Sequence, residues 1–174
     1  MEWADIQGWG SNKELDWLFE KSQQMDSILE LGSWKGRSTQ AFAKGCKGSV
    51  ICVDHFLGNS NERGPSGAHA EASINDIYFE LVTNMQPYKN ISILRMESLQ
   101  AAKYFKPASI DMIFIDAGHL YEEVKQDILA WFPICRKLFC GHDYTMQEVK
   151  EAVDDILKKN SSFFVTEAIW SLQL

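Results

Sequence analysis

The stretch Ser27–Thr39, SILELGSWKGRST, constrains the chain more than any other. Its apolar run of Ile28, Leu29 and Leu31 carries one acid, Glu30, and breaks at Gly32. Gly36 follows, and Ser38-Thr39 opens a helix-like segment, TQAFAKG. A strand, a glycine turn and a helix start, in that order, let a ligand reach bare backbone. The helix start adds unpaired N–H groups and the positive end of the peptide dipoles. An ordinary βα turn has the same outline, so what the other strands deliver decides between the two.

Hydrophobic spacing supplies those strands. Leu15, Leu18 and Phe19 behind an N-cap at Ser11 predict a helix over 12–25. Strands are predicted at 27–31, 49–53, 91–96 and 110–115, with a fifth starting at Leu138. Helices are predicted from Thr39 to near Gly45 and over 71–86, 99–105, 121–132 and 146–159. The 71–86 helix would bury Ile74, Ile77, Tyr78, Leu81 and Val82 on one face. Residues 57–70, LGNSNERGPSGAHA, read as an irregular lid. The closing SFFVTEAIWSLQL reads as two short strands. Regular alternation of this kind predicts an α/β fold: a doubly wound, mostly parallel sheet with helices on both faces and a C-terminal antiparallel hairpin at one edge.

Composition narrows the class. A chain of 174 residues, 45% apolar and 24% charged, is expected to form one domain spanning 1–174. A net charge of −7, with Lys158-Lys159 as the densest basic run, argues against a nucleic-acid partner. No apolar stretch is of membrane-spanning length, and MEWADIQGWG lacks the character of a signal peptide. Cys46, Cys52, Cys135 and Cys140 form no CxxC pair and read as buried free thiols, so the cytoplasm is the expected location.

Ligands of open α/β sheets bind beyond the carboxyl ends of the strands. Here those ends deliver, in turn, Glu30 with the glycine turn, Asp54-His55, Glu97-Ser98, Asp116 through His119, and His142-Asp143. Five successive ends with polar groups exceed what chain reversal requires. The turn reads E-x-G-x-x-x-G-x-S, neither the G-x-G-x-x-G of dinucleotide sites nor the G-x-x-x-x-G-K-[ST] of phosphate loops. An NAD-dependent oxidoreductase is therefore disfavoured. Asp54, about twenty residues past the glycines, is well placed to take ribose hydroxyls.

These residues resemble the class I S-adenosylmethionine-dependent methyltransferases. ELGSWKGRS is similar to their first motif, VDHF to their acidic second-strand end, and FIDAGHLYEEVKQDI with GHDY to their fourth and fifth strand ends. The likeness runs from about residue 11 to the C-terminus. It is nearest to small O-methyltransferase-like proteins of the methyltransferase domain 24 type, with a Rossmann-like fold. The resemblance implies that Gly32, Ser33, Trp34 and Gly36 form the cofactor turn, with Glu30 nearby and Ser38 on the cofactor's carboxylate. It implies that Asp54 holds the ribose, His55 lies along the adenine, and Glu97-Ser98 meets the adenine edge. Ser38 and Ser98 read equally as helix-capping residues.

In metal-dependent relatives the acids ending the fourth and fifth strands bind a divalent cation, which puts Asp116 and Asp143 on magnesium (Mg2+) or another dication, with His142 the nearest third ligand. The ion would lower the pKa of an acceptor oxygen in a small molecule. His119 falls where such enzymes place their base, although it also reads as a residue leading into the helix near Tyr121. Two positions depart from the pattern: Tyr144 stands where catechol-type sites have asparagine, and Gly118 precedes His119. The resemblance thus predicts a divalent-metal-assisted O-methyltransferase. The alternative is an S-adenosylmethionine-binding module without transfer activity. No acceptor-binding segment beyond the lid is evident, which leaves a homodimer as one way to complete the acceptor site.

Overall fold

The computed structural model describes residues 2–59 and 67–174. Its sheet comprises β1 (Ser27–Leu31), β2 (Ser49–Asp54), β3 (Ile91–Arg95), β4 (Ile110–Ile115), β5 (Cys135–Gly141), β6 (Phe163–Thr166) and β7 (Ile169–Gln173), in the spatial order β3-β2-β1-β4-β5-β7-β6. The first five pair in parallel; β7 runs antiparallel to β5, and β6 to β7. The order reverses between β1 and β4, and crevices open at such a switch beyond the strand ends.

Strand periodicity of two sorts the core into two layers. Ile28, Cys52, Met112 and Phe114 pack with Leu15, Leu18, Phe42, Leu81 and Met85. These come from α1 (Asn12–Ser22), α2 (Thr39–Gly45) and, beyond the short α3 (Ala68–Ala72), α4 (Ile77–Met85). Leu29, Leu31, Ile113, Ile115 and Phe139 point the other way and meet Val124, Ile128, Trp131, Val149 and Val153. This second layer is supplied, after the single-turn α5 (Ser98–Ala101), by α6 (Tyr121–Trp131) and α7 (Gln147–Leu157). All four cysteines are free and buried, as expected. No helix among the described residues is long and apolar enough to cross a membrane.

Three boundaries differ from expectation. The helix predicted over 71–86 is two, because the Asp76 carboxylate accepts the Phe79 N–H at 3.1 Å and starts α4 afresh. Ile74, left in the break, is 81% exposed, and the buried face of α4 is Ile77, Leu81 and Met85. The irregular stretch expected to reach residue 70 gives way to α3 at Ala68, and its segment 60–66 lies outside the described residues. Strand β5 begins at Cys135, directly after a short 3-10 turn over Phe132–Ile134 that holds Pro133.

Asp111, the one acid within β4, has no exposed surface. Its carboxylate accepts from the Asp26 N–H (3.0 Å), Arg136 Nε (2.8 Å) and Lys137 Nζ (2.9 Å). Burial opposes ionisation, but Lys137, the Asp26 N–H and Arg136 outweigh it and hold the group at about 2. A carboxylate depressed below its unfolded value of about 3.9 contributes stability that is full above that value and lost as pH falls through the folded one. Asp111→Asn is therefore expected to cost about 2 kcal/mol in urea denaturation near neutral pH. The gap to wild type should close between about pH 4 and pH 2.

Candidate active site

The turn after β1 is shaped by its neighbours. Gly32 has φ +80°, and a Cβ there would collide with the Asp116 carbonyl oxygen. Gly36 has φ +94°, and a Cβ on it would lie 2.8 Å from Leu81 Cδ1 and Met85 Cε. Both the left-handed backbone at Gly36 and its packing against α4 call for glycine there. Lys35, between them, is 4% exposed and pairs with Glu71, Glu80 (3.0 Å) and Gln7 (2.8 Å), so it supports the turn from behind. Trp34 sits at φ 48°, a conformation that a bulky residue adopts only when its surroundings enforce it. Its N–H donates to Asp54 Oδ2 at 2.9 Å, and its buried indole N–H has no partner among the described residues.

Asp54, at the end of β2, also accepts the Phe56 N–H at Oδ1 (2.6 Å). Burial raises its pKa against these N–H bonds. Each carboxylate oxygen can still accept a second donor such as a hydroxyl. His55 Nδ1 accepts the Leu57 N–H at 2.9 Å.

Glu30 lies on the α2 side of β1, wholly buried. It accepts the Ser38 and Thr39 hydroxyls at 2.5 Å each. Burial raises its pKa over the opposing effect of those hydroxyls. Ser38 makes no side-chain capping bond to α2; its hydroxyl is committed to Glu30. Ser98 is likewise committed, donating to Asp127 at 2.5 Å and accepting the Trp131 indole N–H at 2.8 Å. Asp127 is pushed up to about 6 by burial.

A cleft of about 890 Å3 runs across the strand ends. It is lined by Gly32, Ser33, Trp34, Ser38, Asp54, His55, Glu97, Ser98, Asp116, His119, His142 and Asp143. Of the residues singled out from sequence, only Glu30 and Gly36 stand behind its wall.

Beyond the ends of β4 and β5, two carboxylates and two imidazoles converge in the cleft. His119 Nε2 lies 3.0 Å from Asp143 Oδ2. His142 Nδ1 lies 3.2 Å from Asp143 Oδ1 and 3.9 Å from Asp116 Oδ1. One donor atom each from Asp116, His142 and Asp143 lies within 4.8 Å of the others. Asp143 has φ 58°, a second strained residue facing the cleft. Burial, aided by the Asp143 charge, pushes Asp116 up to about 7. Burial also opposes the charge on Asp143, yet its bonds to His119 and His142 hold it below the usual carboxylate range. His142 is driven to about 9: burial disfavours its charge, but Asp143, Asp116 and Glu14 outweigh it.

Two members of the site were not singled out from sequence. Glu14 pairs with His142 Nε2 at 3.2 Å, across 128 positions of chain. Ser11-x-x-Glu14 is a capping box, which the sequence displays, but the reach to His142 is a tertiary fact. Arg37 binds the carbonyls of Gly10 (2.6 Å) and Ile6 (3.0 Å), laying the N-terminal segment along the cleft and bringing Trp9 to within 6.1 Å of Trp34.

Comparison with known proteins agrees with this architecture. Among solved structures, the chain is similar to the O-methyltransferase NovP (14% identity, 92% of this chain and 79% of that one, TM-score 0.70). It is similar also to the O-methyltransferase from Bacillus cereus in complex with SAH (17% identity, 95% and 82%, TM-score 0.63). A Corynebacterium glutamicum protein gives 12% identity, 97% and 82% coverage, and a TM-score of 0.68. At these identities the likeness speaks for the fold. A curated relative, protein y4gI of Sinorhizobium fredii, is 26% identical over 70% of this chain, which spans only 13% of that protein's length. The methyltransferase domain family model matches residues 29–144, from within β1 to just past Asp143. The chain belongs to the class I S-adenosylmethionine-dependent methyltransferases.

Proposed function

We propose that this chain transfers a methyl group from S-adenosylmethionine to a hydroxyl of a small molecule, acting as a single domain with a divalent cation. The observation that carries this reading is the one cleft joining the Gly32 turn and Asp54 to the cluster of Asp116, His119, His142 and Asp143. The first end suits a nucleoside bearing an amino acid. Asp54 offers oxygens to ribose hydroxyls, Gly32 leaves bare backbone, and the Trp34 indole N–H awaits an acceptor. The second end suits proton removal. A carboxylate only accepts, so Asp143 fixes the His119 proton on Nε2 and leaves Nδ1 as the basic nitrogen, 3.5 Å from Asn59 Nδ2.

S-adenosylmethionine brings an electrophilic methyl on its sulfonium, and a dication would lower the pKa of the acceptor hydroxyl. Asp116, His142 and Asp143 fit such an ion by donor chemistry: one donor atom from each lies close to the others, and two carboxylates this near one another in a buried place favour a countercharge. His119 takes the hydroxyl proton as the acceptor oxygen bonds to the methyl carbon and the carbon–sulfur bond breaks, its electron pair staying on the sulfur of the departing thioether, and the cleft walls hold the reacting atoms in line. A second reading rests on the His142 charge. Protonated, His142 already balances the two acids, and a His119–Asp143 pair would then work without metal.

Calorimetric titration is expected to show binding of S-adenosylmethionine and its demethylated product, weakened about tenfold or more in Asp54→Asn, which loses an acceptor. Tight NAD binding with no response to the sulfonium compound would sink the reading. His119→Ala is expected to lower kcat by about 10^2–10^4 while leaving cofactor affinity intact. With an acceptor found from a panel of small-molecule alcohols and phenols, activity should vanish on chelation and in Asp116→Asn. Activity indifferent to chelator selects the metal-free pair. A panel in which nothing gains a methyl group, despite cofactor binding, favours a binding module.

A further inference from the structure

The set of Asp116, His142 and Asp143 joins two carboxylates to one imidazole, and Glu14 stands against the far nitrogen of His142. His142 Nε2 lies 3.2 Å from Glu14 Oε1, while Nδ1 faces Asp143 and Asp116. Glu14 is itself clamped: Oε2 accepts the Ser11 N–H (2.8 Å) and Oε1 the Ala168 N–H (3.2 Å) between β6 and β7. Because a carboxylate only accepts, Glu14 keeps a proton on Nε2, so the nitrogen that an ion would deprotonate and bind is Nδ1, which faces the acids. Magnesium prefers an all-oxygen shell and retains its waters, whereas an imidazole nitrogen suits transition ions.

Resting on the metal-assisted reading above, we infer that the site takes a first-row transition dication in preference to magnesium, and that Glu14 is the positioning residue that sets this preference by holding His142. In this role Glu14 acts through the imidazole it orients. Its buried place against the β6–β7 turn keeps that orientation fixed across the fold.

The test uses chelator-stripped protein titrated calorimetrically with Co2+, Mn2+ and Mg2+, with the visible spectrum of bound Co2+ followed in parallel. Wild type, His142→Asp, Glu14→Ala and Glu14→Gln are compared, each checked by circular dichroism and by binding of S-adenosylhomocysteine. The ratio of Co2+ to Mg2+ affinity in wild type should exceed that of His142→Asp by about tenfold or more. Glu14→Ala should weaken Co2+ binding about tenfold to hundredfold while Mg2+ binding stays nearly unchanged. Glu14→Gln, which keeps an acceptor for Nε2–H, should remain close to wild type. An unchanged ratio in His142→Asp overturns the inference, as does equal weakening of both ions in Glu14→Ala, the mark of a purely structural role. Magnesium bound as well as or better than cobalt overturns the inference alone. If no ion binds while S-adenosylhomocysteine does, the metal-assisted reading fails and takes the inference with it.

Discussion

The close approach of the β1 turn to the end of β4 governs everything that follows it. The Gly32 N–H reaches the Val53 carbonyl (3.0 Å) and the Asp116 N–H reaches the Leu31 carbonyl (2.9 Å), so three strand ends are laced together at the point where strand order reverses. Only a residue without Cβ fits there. The lacing sets Asp54, at the end of β2, on one side of the turn and Asp116, at the end of β4, on the other, and both line the cleft. Any side chain at position 32 would have to part β1 from β4, and the two halves of the site with them.

Around that joint the electrostatics are arranged in opposition. Asp54 and Asp116 are both raised by burial, yet Asp54 is held by main-chain N–H groups and Asp116 by imidazoles. Main-chain donors carry no titrating proton, so the Asp54 end keeps its hydrogen bonds across the neutral range. At the Asp116 end the partners are themselves titratable: His142 faces both Asp116 and Asp143, and His119 faces Asp143.

Much of this was legible in the chain. Strands at Ser27–Leu31 and Ile110–Ile115 fall where their apolar runs place them, because central parallel strands are buried on both faces and leave an unbroken signal. The strand-end acids were equally visible, since topology alone sends them to one edge. The failures were local contests and long-range contacts. Asp76 interrupted a helical pattern with a cap of its own, and Gly36 answers to Leu81 and Met85 as well as to its turn. The capping role read for Ser38 and Ser98 gave way to side-chain bonds with Glu30 and with Asp127 and Trp131, and both residues still line the cleft. Glu14 was readable as a capping residue, but no local pattern announces a partner 128 positions away.

The insertion of β7 between β5 and β6 has a temporal consequence. Strands β1 to β5 are complete in sequence by Gly141, and their parallel pairing needs nothing downstream. Glu14, however, receives the Ala168 N–H only when the hairpin has docked, and Trp170 then closes over Gly141. On a growing chain, where earlier segments fold first, the turn at Gly32 and the strand end at Asp54 are thus laid down well before Glu14 gains its last partner, and the hold on His142 is the final part of the cleft to be fixed.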